Sequence, residues 1–205
     1  MSESTSIQGA AGALELIVDE IVDATAIAVL CHPHSQYGGS MHDGVLQNMV
    51  DAMEPLGITC VRFNFRGVGQ SGGQFDDGVG EIEDVLAITN WARNRWPGLS
   101  TVLGGYSFGA AMALIAASRI EHSVAKLVLI APPIQMIESD GALSIDSCVI
   151  VGGRDTIVSA AAAAQYFGDQ LKVLSQADHF FAGADTEIAA LIQEFLTNGG
   201  SKNGT

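Results

Sequence analysis

Apolar residues in this chain alternate between two rhythms. Short apolar runs recur at Ala26-Ile27-Ala28-Val29-Leu30-Cys31, Thr59-Cys60-Val61-Arg62-Phe63, Thr101-Val102-Leu103, Lys126-Leu127-Val128-Leu129-Ile130, Cys148-Val149-Ile150-Val151 and Leu171-Lys172-Val173-Leu174. Runs of this length, rich in β-branched residues, predict strands buried in a sheet. Between them apolar positions repeat at helical spacing. Val45, Leu46, Met49, Val50 and Met53 share one face of a helix near 43–55, and Ile82, Val85, Leu86 and Thr89 one face of another near 79–95. A small-residue helix runs from Ala110 to Ala117, and Ile188, Leu191, Ile192, Phe195 and Leu196 mark a last helix. Strands flanked by such helices predict an α/β fold, a mainly parallel twisted sheet with helices on both faces. No repeat and no internal boundary divides the chain, so residues 1–205 are expected to form one domain, with 1–6 and 198–205 disordered.

The chemistry concentrates where strands end. Gly105-Tyr106-Ser107-Phe108-Gly109 is a G-x-S-x-G motif between an apolar strand and a helix. In that context the serine sits on a strained turn at a helix N-terminus, which lifts its hydroxyl out of the sheet. A serine nucleophile needs a base, and the base an orienting acid. Asp155 follows the Cys148–Val151 strand on Gly152-Gly153-Arg154, and His179 follows the Leu171–Leu174 strand. Both belong at the sheet edge that carries Ser107, in the order serine, acid, histidine. His179 is the histidine downstream of both the serine and the acid, whereas His122 lies in a polar helix-end stretch. Asp140, Asp146, Asp169 and Asp178 compete as the acid. Asp146 precedes its strand, and Asp178 adjoins the histidine, where neighbouring side chains point apart. The oxyanion is expected to meet the backbone N–H of Phe108 and that of His34, in the loop after the first apolar run.

At this point the chain resembles the α/β-hydrolase superfamily, and within it the small lidless bacterial serine hydrolases. The motifs are His32-Pro33-His34, Asn64-Phe65-Arg66-Gly67-Val68-Gly69 and His179-Phe180-Phe181, and the similarity spans about residues 7–197. The resemblance implies Ser107 as nucleophile, Asp155 as acid and His179 as base, in agreement with the reading from order and spacing. Ser35 departs from the pattern, where a second proline is common. The short stretch from Ala131 to Ser147 has room for one short helix rather than a cap, so the lid is expected to be minimal or absent. Tyr37 in the His-Pro-His loop, with Ile134 and Met136, are candidate substrate contacts. The expected activity is hydrolysis of small or soluble carboxylic esters without a cofactor. A thioesterase or peptidase with the same triad is the alternative, and a silent binding protein on this fold is the rival from another class.

Other signals are weaker. Gly67-Val68-Gly69-Gln70-Ser71-Gly72 matches G-x-G-x-x-G, but loop follows where a dinucleotide site needs an apolar helix. Asp76, Asp77, Glu81, Glu83 and Asp84 are expected to cap and charge a helix N-terminus rather than to bind a cation. The imidazoles of His32 and His34 lack a downstream Cys or His partner at metal-ligand spacing. A net charge of −14 argues against nucleic acid and anionic membranes as partners. The N-terminus has no signal-peptide pattern, and Cys31, Cys60 and Cys148 fall in or beside apolar strands, as reduced thiols in a cytoplasmic protein would.

Overall fold

The computed structural model describes residues 2–120, 123–137 and 145–198. Eight strands form one sheet: β1 (Ser2–Gly9), β2 (Gly12–Asp19), β3 (Ala26–Cys31), β4 (Ile58–Phe63), β5 (Ser100–Tyr106), β6 (Lys126–Ile130), β7 (Asp146–Gly152) and β8 (Leu171–Leu174). Five α-helices accompany them: α1 (Gly44–Met53), α2 (Val79–Arg95), α3 (Phe108–Arg119), α4 (Ala160–Phe167) and α5 (Asp185–Thr197). The strand order is β1-β2-β4-β3-β5-β6-β7-β8. β1, β2 and β4 pair antiparallel, and every other pairing is parallel.

Burial follows position in the sheet. All of β4 is buried, as are all but the first residues of β3, β5, β6 and β7. These are the strands that the apolar runs predict. β2 alternates instead, with Leu14, Leu16 and Val18 inward, and β8 at the far edge is half exposed. α1 packs beside α5 and α2 beside α3, so that the two faces of the sheet are covered by different helices. Asp43 starts α1 by accepting the N–H groups of Val45 and Leu46. Glu81 starts α2 by accepting those of Asp76 and Gly78.

Two expectations change. Residues 2–6 lie in β1, paired along its length with β2, rather than in a disordered tail. The cause is the hairpin itself: β2 offers its outer edge, and backbone pairing orders a segment whose side chains are mostly polar and exposed. Asn198, expected to be disordered, instead caps α5 with its N–H on the Glu194 carbonyl, while residues 199–205 lie outside the described residues, and so do His122 and Asp140. Ser159 starts α4 by accepting the Ala162 N–H, and Ala163 and Phe167 turn inward; its run of alanines offers little contrast between a buried and an exposed face for the sequence to show. Cys31, Cys60 and Cys148 are buried and unpaired, and burial pushes all three thiol pKa values up. Among the described residues no helix is long and apolar enough to cross a membrane.

The order β4-β3-β5 places the site. From β3 the chain moves one way to β4 and then crosses back to β5 on the other side. The loops leaving the carboxyl ends of β3 and β5 therefore diverge and open a crevice, where open α/β sheets receive ligands.

Candidate active site

Ser107 is on the loop that opens this crevice from β5. Its φ of 52° and ψ of −121° lie outside the regions a serine prefers. The flanking glycines explain how the turn is tolerated. A Cβ on Gly105 would lie 2.6 Å from the Gly109 carbonyl carbon, and one on Gly109 would lie 2.2 Å from the Cys31 carbonyl oxygen. The elbow thus packs directly onto the end of β3, and the Ser107 N–H is tied to the Ile130 carbonyl at 2.8 Å. Phe108 is the first residue of α3, where helix geometry leaves its N–H without an intrahelical acceptor.

The acid follows β7 and the histidine follows β8, the two strands beyond β6 in the sheet. Nε2 of His179 lies 3.1 Å from Oγ of Ser107, and its Nδ1 lies 2.7 Å from Oδ2 of Asp155. The other carboxylate oxygen of Asp155 accepts the N–H groups of Ile157 and Val158, both at 2.8 Å. The Asp155 side chain is fully buried and that of His179 nearly so. A carboxylate on Nδ1 places the proton there and leaves Nε2 as the acceptor facing the serine hydroxyl. Such a line can draw the proton from the hydroxyl and stabilise the imidazolium that results.

The competing acids lie elsewhere. Asp178 accepts the Phe180 N–H as a turn residue, Asp146 begins β7 at the opposite end of that strand, and Asp169 sits in the turn before β8. The second histidine of the His-Pro-His loop, His34, caps a short 3-10 turn at Ser35–Tyr37. Its ring lies 5.0 Å from that of Phe108, 4.8 Å from that of Phe75 and 4.9 Å from that of Tyr37. His32 is fully buried, with Nδ1 on the Pro33 carbonyl and Nε2 accepting the Phe65 N–H. Both of its nitrogens are occupied by backbone. Among the described residues no three His, Cys, Asp or Glu side chains group as metal ligands.

The Asn64–Gly69 segment braces the crevice. Asn64 accepts the Met41 N–H and donates to Glu15, and Arg66 forms a forked pair with Asp84 at 2.7 and 3.0 Å. The glycines there form turns, and α2 begins only at Val79. Of the acids near that start, Glu81 caps, Asp84 binds Arg66 and Glu83 pairs with Arg119.

Tyr37 is almost fully exposed, and Ile134 and Met136 are partly buried in a 3-10 turn after β6. A cavity of about 270 Å3 lies instead beside the residues that follow His179. Asp43, Asn48, Tyr106, Phe180, Phe181 and Asp185 help to line it, and Tyr37, Ile134 and Met136 do not. The spacing of the chain gave no sign of this cavity, nor of the hydrogen bond from the Tyr106 hydroxyl to the His179 carbonyl at 2.8 Å.

Comparison with known proteins shows what the chain is similar to in family and fold. The family model described as serine aminopeptidase, S33, matches residues 23–145, a stretch that includes Ser107 and ends before Asp155. The uncharacterized protein RP471 of Rickettsia prowazekii (strain Madrid E) is 33% identical over 189 residues, covering 83% of this chain and 78% of that protein. An alpha-beta serine hydrolase homologue from Coxiella burnetii superposes with a TM-score of 0.88 at 32% identity, covering 95% of this chain and 97% of the other. XC6422 from Xanthomonas campestris, described as an a/b serine hydrolase without lid, gives a TM-score of 0.86 at 34% identity, covering 96% and 94%.

Proposed function

The chain belongs to the serine aminopeptidase S33 family within the α/β-hydrolase superfamily, and from that premise we propose that it is a serine hydrolase cleaving carboxylic esters of small or soluble substrates. The observation that carries the proposal is the continuous line Ser107–His179–Asp155, with contacts of 3.1 and 2.7 Å. Ser107 attacks the ester carbonyl while His179 takes its proton at Nε2. Asp155 holds Nδ1–H and stabilises the imidazolium. The N–H groups of Phe108 and His34 receive the oxyanion, a pair of donors each worth roughly 100-fold or more in rate. The imidazolium then protonates the leaving alcohol, and water drawn in by the same base releases the acid. The chemistry needs no cofactor. Tyr37, Ile134 and Met136 line the acyl side in this reading. The family description makes amide hydrolysis the second reading, since the same triad serves both.

Labelling with a fluorophosphonate, together with a panel of esters, thioesters and aminoacyl amides of graded length, tests the proposal. Ser107→Ala should abolish labelling and lower turnover by roughly 10⁴-fold or more, and His179→Ala should do likewise. Asp155→Asn should cost a large factor, and Asp178→Asn little. Near-native esterase activity in Ser107→Ala would falsify the nucleophile, and a crippled Asp178→Asn beside a healthy Asp155→Asn would move the acid.

A further inference from the structure

Tyr106 immediately precedes the nucleophile, yet its side chain reaches the loop that carries the base. Its hydroxyl donates to the His179 backbone carbonyl at 2.8 Å. Its ring centroid lies 5.5 Å from the imidazole and 6.3 Å from the ring of Phe181. The residue is buried. Burial, and then the carboxylates of Asp43, Asp155 and Asp178, push the phenol pKa up, so the hydroxyl stays a donor across the working pH range.

The loop that carries His179 is held from two sides. On the side of Asp155, the Gly153 N–H donates to the Leu174 carbonyl and the Arg154 N–H to that of Ala177, at 2.8 and 2.9 Å. Gly152 lets them approach, because a Cβ there would lie 2.5 Å from the Ala177 carbonyl oxygen. These contacts set the histidine against its acid. On the side of Ser107, the Tyr106 hydroxyl joins the end of β5 to the histidine's own backbone. The loop needs such a tie. Phe181 holds a φ of 55°, a left-handed conformation costly for an aromatic residue. Phe181 is itself buried, Phe180 is exposed, and a cavity of about 270 Å3 lies beside Tyr106, Phe180 and Phe181 on that flank of the loop.

We propose that Tyr106 is a positioning residue: its bond to the His179 carbonyl sets the reach of the imidazole Nε2 to the Ser107 hydroxyl. The inference rests on Ser107 as nucleophile and His179 as base. The bond and the Nε2–Oγ contact close a small ring through the Tyr106–Ser107 peptide and the His179 residue, so releasing one side lets the other drift. A misplacement of about 1 Å can cost ~100-fold in rate, so a loosened loop should lose about tenfold in kcat.

The test compares wild type with Tyr106→Phe, with Tyr106→O-methyltyrosine, which fills the space without a donor, and with Tyr106→4-aminophenylalanine, which restores an N–H donor. Ester kcat and KM and the rate of fluorophosphonate labelling of Ser107 are measured for each. Both donor-less variants should lose about tenfold in kcat and in labelling rate with KM within about twofold, and 4-aminophenylalanine should recover most of the loss. A donor-less variant that keeps kcat within about twofold of wild type overturns the inference. So does a rise in KM alone, which would make Tyr106 a substrate contact. An unrescued loss in the 4-aminophenylalanine protein overturns it as well, because packing would then be the cause. Should Tyr106→Phe not fold, the O-methyltyrosine protein carries the same readings. Wild-type protein that takes no label at Ser107 fails the nucleophile reading itself and this inference with it, a result distinct from all the others.

Discussion

His32 holds its proton on Nδ1, 2.6 Å from the Pro33 carbonyl, and accepts the Phe65 N–H on Nε2 at 3.1 Å. Protonating Nε2 would break the second bond and place a charge at full burial, and burial pushes the His32 pKa down from 6.5 to about 4. The sign for stability follows. Below pH 6.5 the unfolded chain binds a proton that the folded chain refuses until about pH 4, so acid favours unfolding across that interval. A depression of that size corresponds to on the order of 3 kcal/mol, present above the upper limit and lost on the way down. Urea melts of wild type and His32→Asn at pH 7, 5 and 4 should show the wild-type advantage shrinking with acid. A constant difference between the two proteins would show that His32 does not govern it. Nothing in the sequence separates this histidine from a ligand except the absence of partners at the right spacing. Ser107, Asp155 and His179 were legible because each falls at a strand end in a fixed order. The tie between Tyr106 and His179 was not, because it joins residues 73 positions apart through a backbone carbonyl that no side-chain pattern reveals.

Arg66 leaves the end of β4 and meets Asp84 on α2 through a forked pair, with both side chains buried. The same carboxylate also accepts the Arg66 N–H at 3.0 Å, so a single aspartate fixes where the loop turns and where the helix docks. Gly80 belongs to this joint, since a Cβ on it would lie 1.8 Å from the guanidinium. Asp84→Asn keeps the shape and leaves the arginine charge uncompensated, which costs about 3 kcal/mol for a buried pair. For a chain of this size that is a fall of roughly 10 °C in melting temperature. A melting curve within about 2 °C of wild type would show that the exposed Asp76, 3.8 Å from the guanidinium, suffices as partner. Such joints explain what can be read at the level of elements. Central strands announce themselves because burial on both faces demands unbroken apolar runs. The edge escapes that demand: most β1 side chains meet water, with Ile7 packed at the margin of the core, and its order comes from backbone pairing. The inward Leu14, Leu16 and Val18 of β2 did carry the alternating signal that would have revealed the hairpin.

The molecule is one sheet whose connections converge on the crevice at the carboxyl ends of β3 and β5. What covers that crevice decides how substrates enter. In lidded relatives of the fold, helices inserted between the strands equivalent to β6 and β7 close over the nucleophile. Here Ile130 ends β6 and Asp146 begins β7, and the described part of the connection, up to Ile137, makes a single 3-10 turn at Ile134–Met136. So short a connection cannot build the apolar cover whose displacement at a lipid surface switches a lidded enzyme on. The exposed side chains of Tyr37 and Phe180 lie against His34 and His179. The charge of −14 further opposes residence on an anionic interface. Rates on a soluble ester should therefore rise hyperbolically with concentration and stay smooth through the point where the substrate begins to form micelles. Short acyl chains should be preferred, because the wall proposed at Ile134 and Met136 extends over one turn only. Kinetics on a graded acyl series, carried across each substrate's solubility limit, check both statements. A sharp increase in rate at that limit, strongest for the longest chains, would mean that some part of this chain acts as a lid after all.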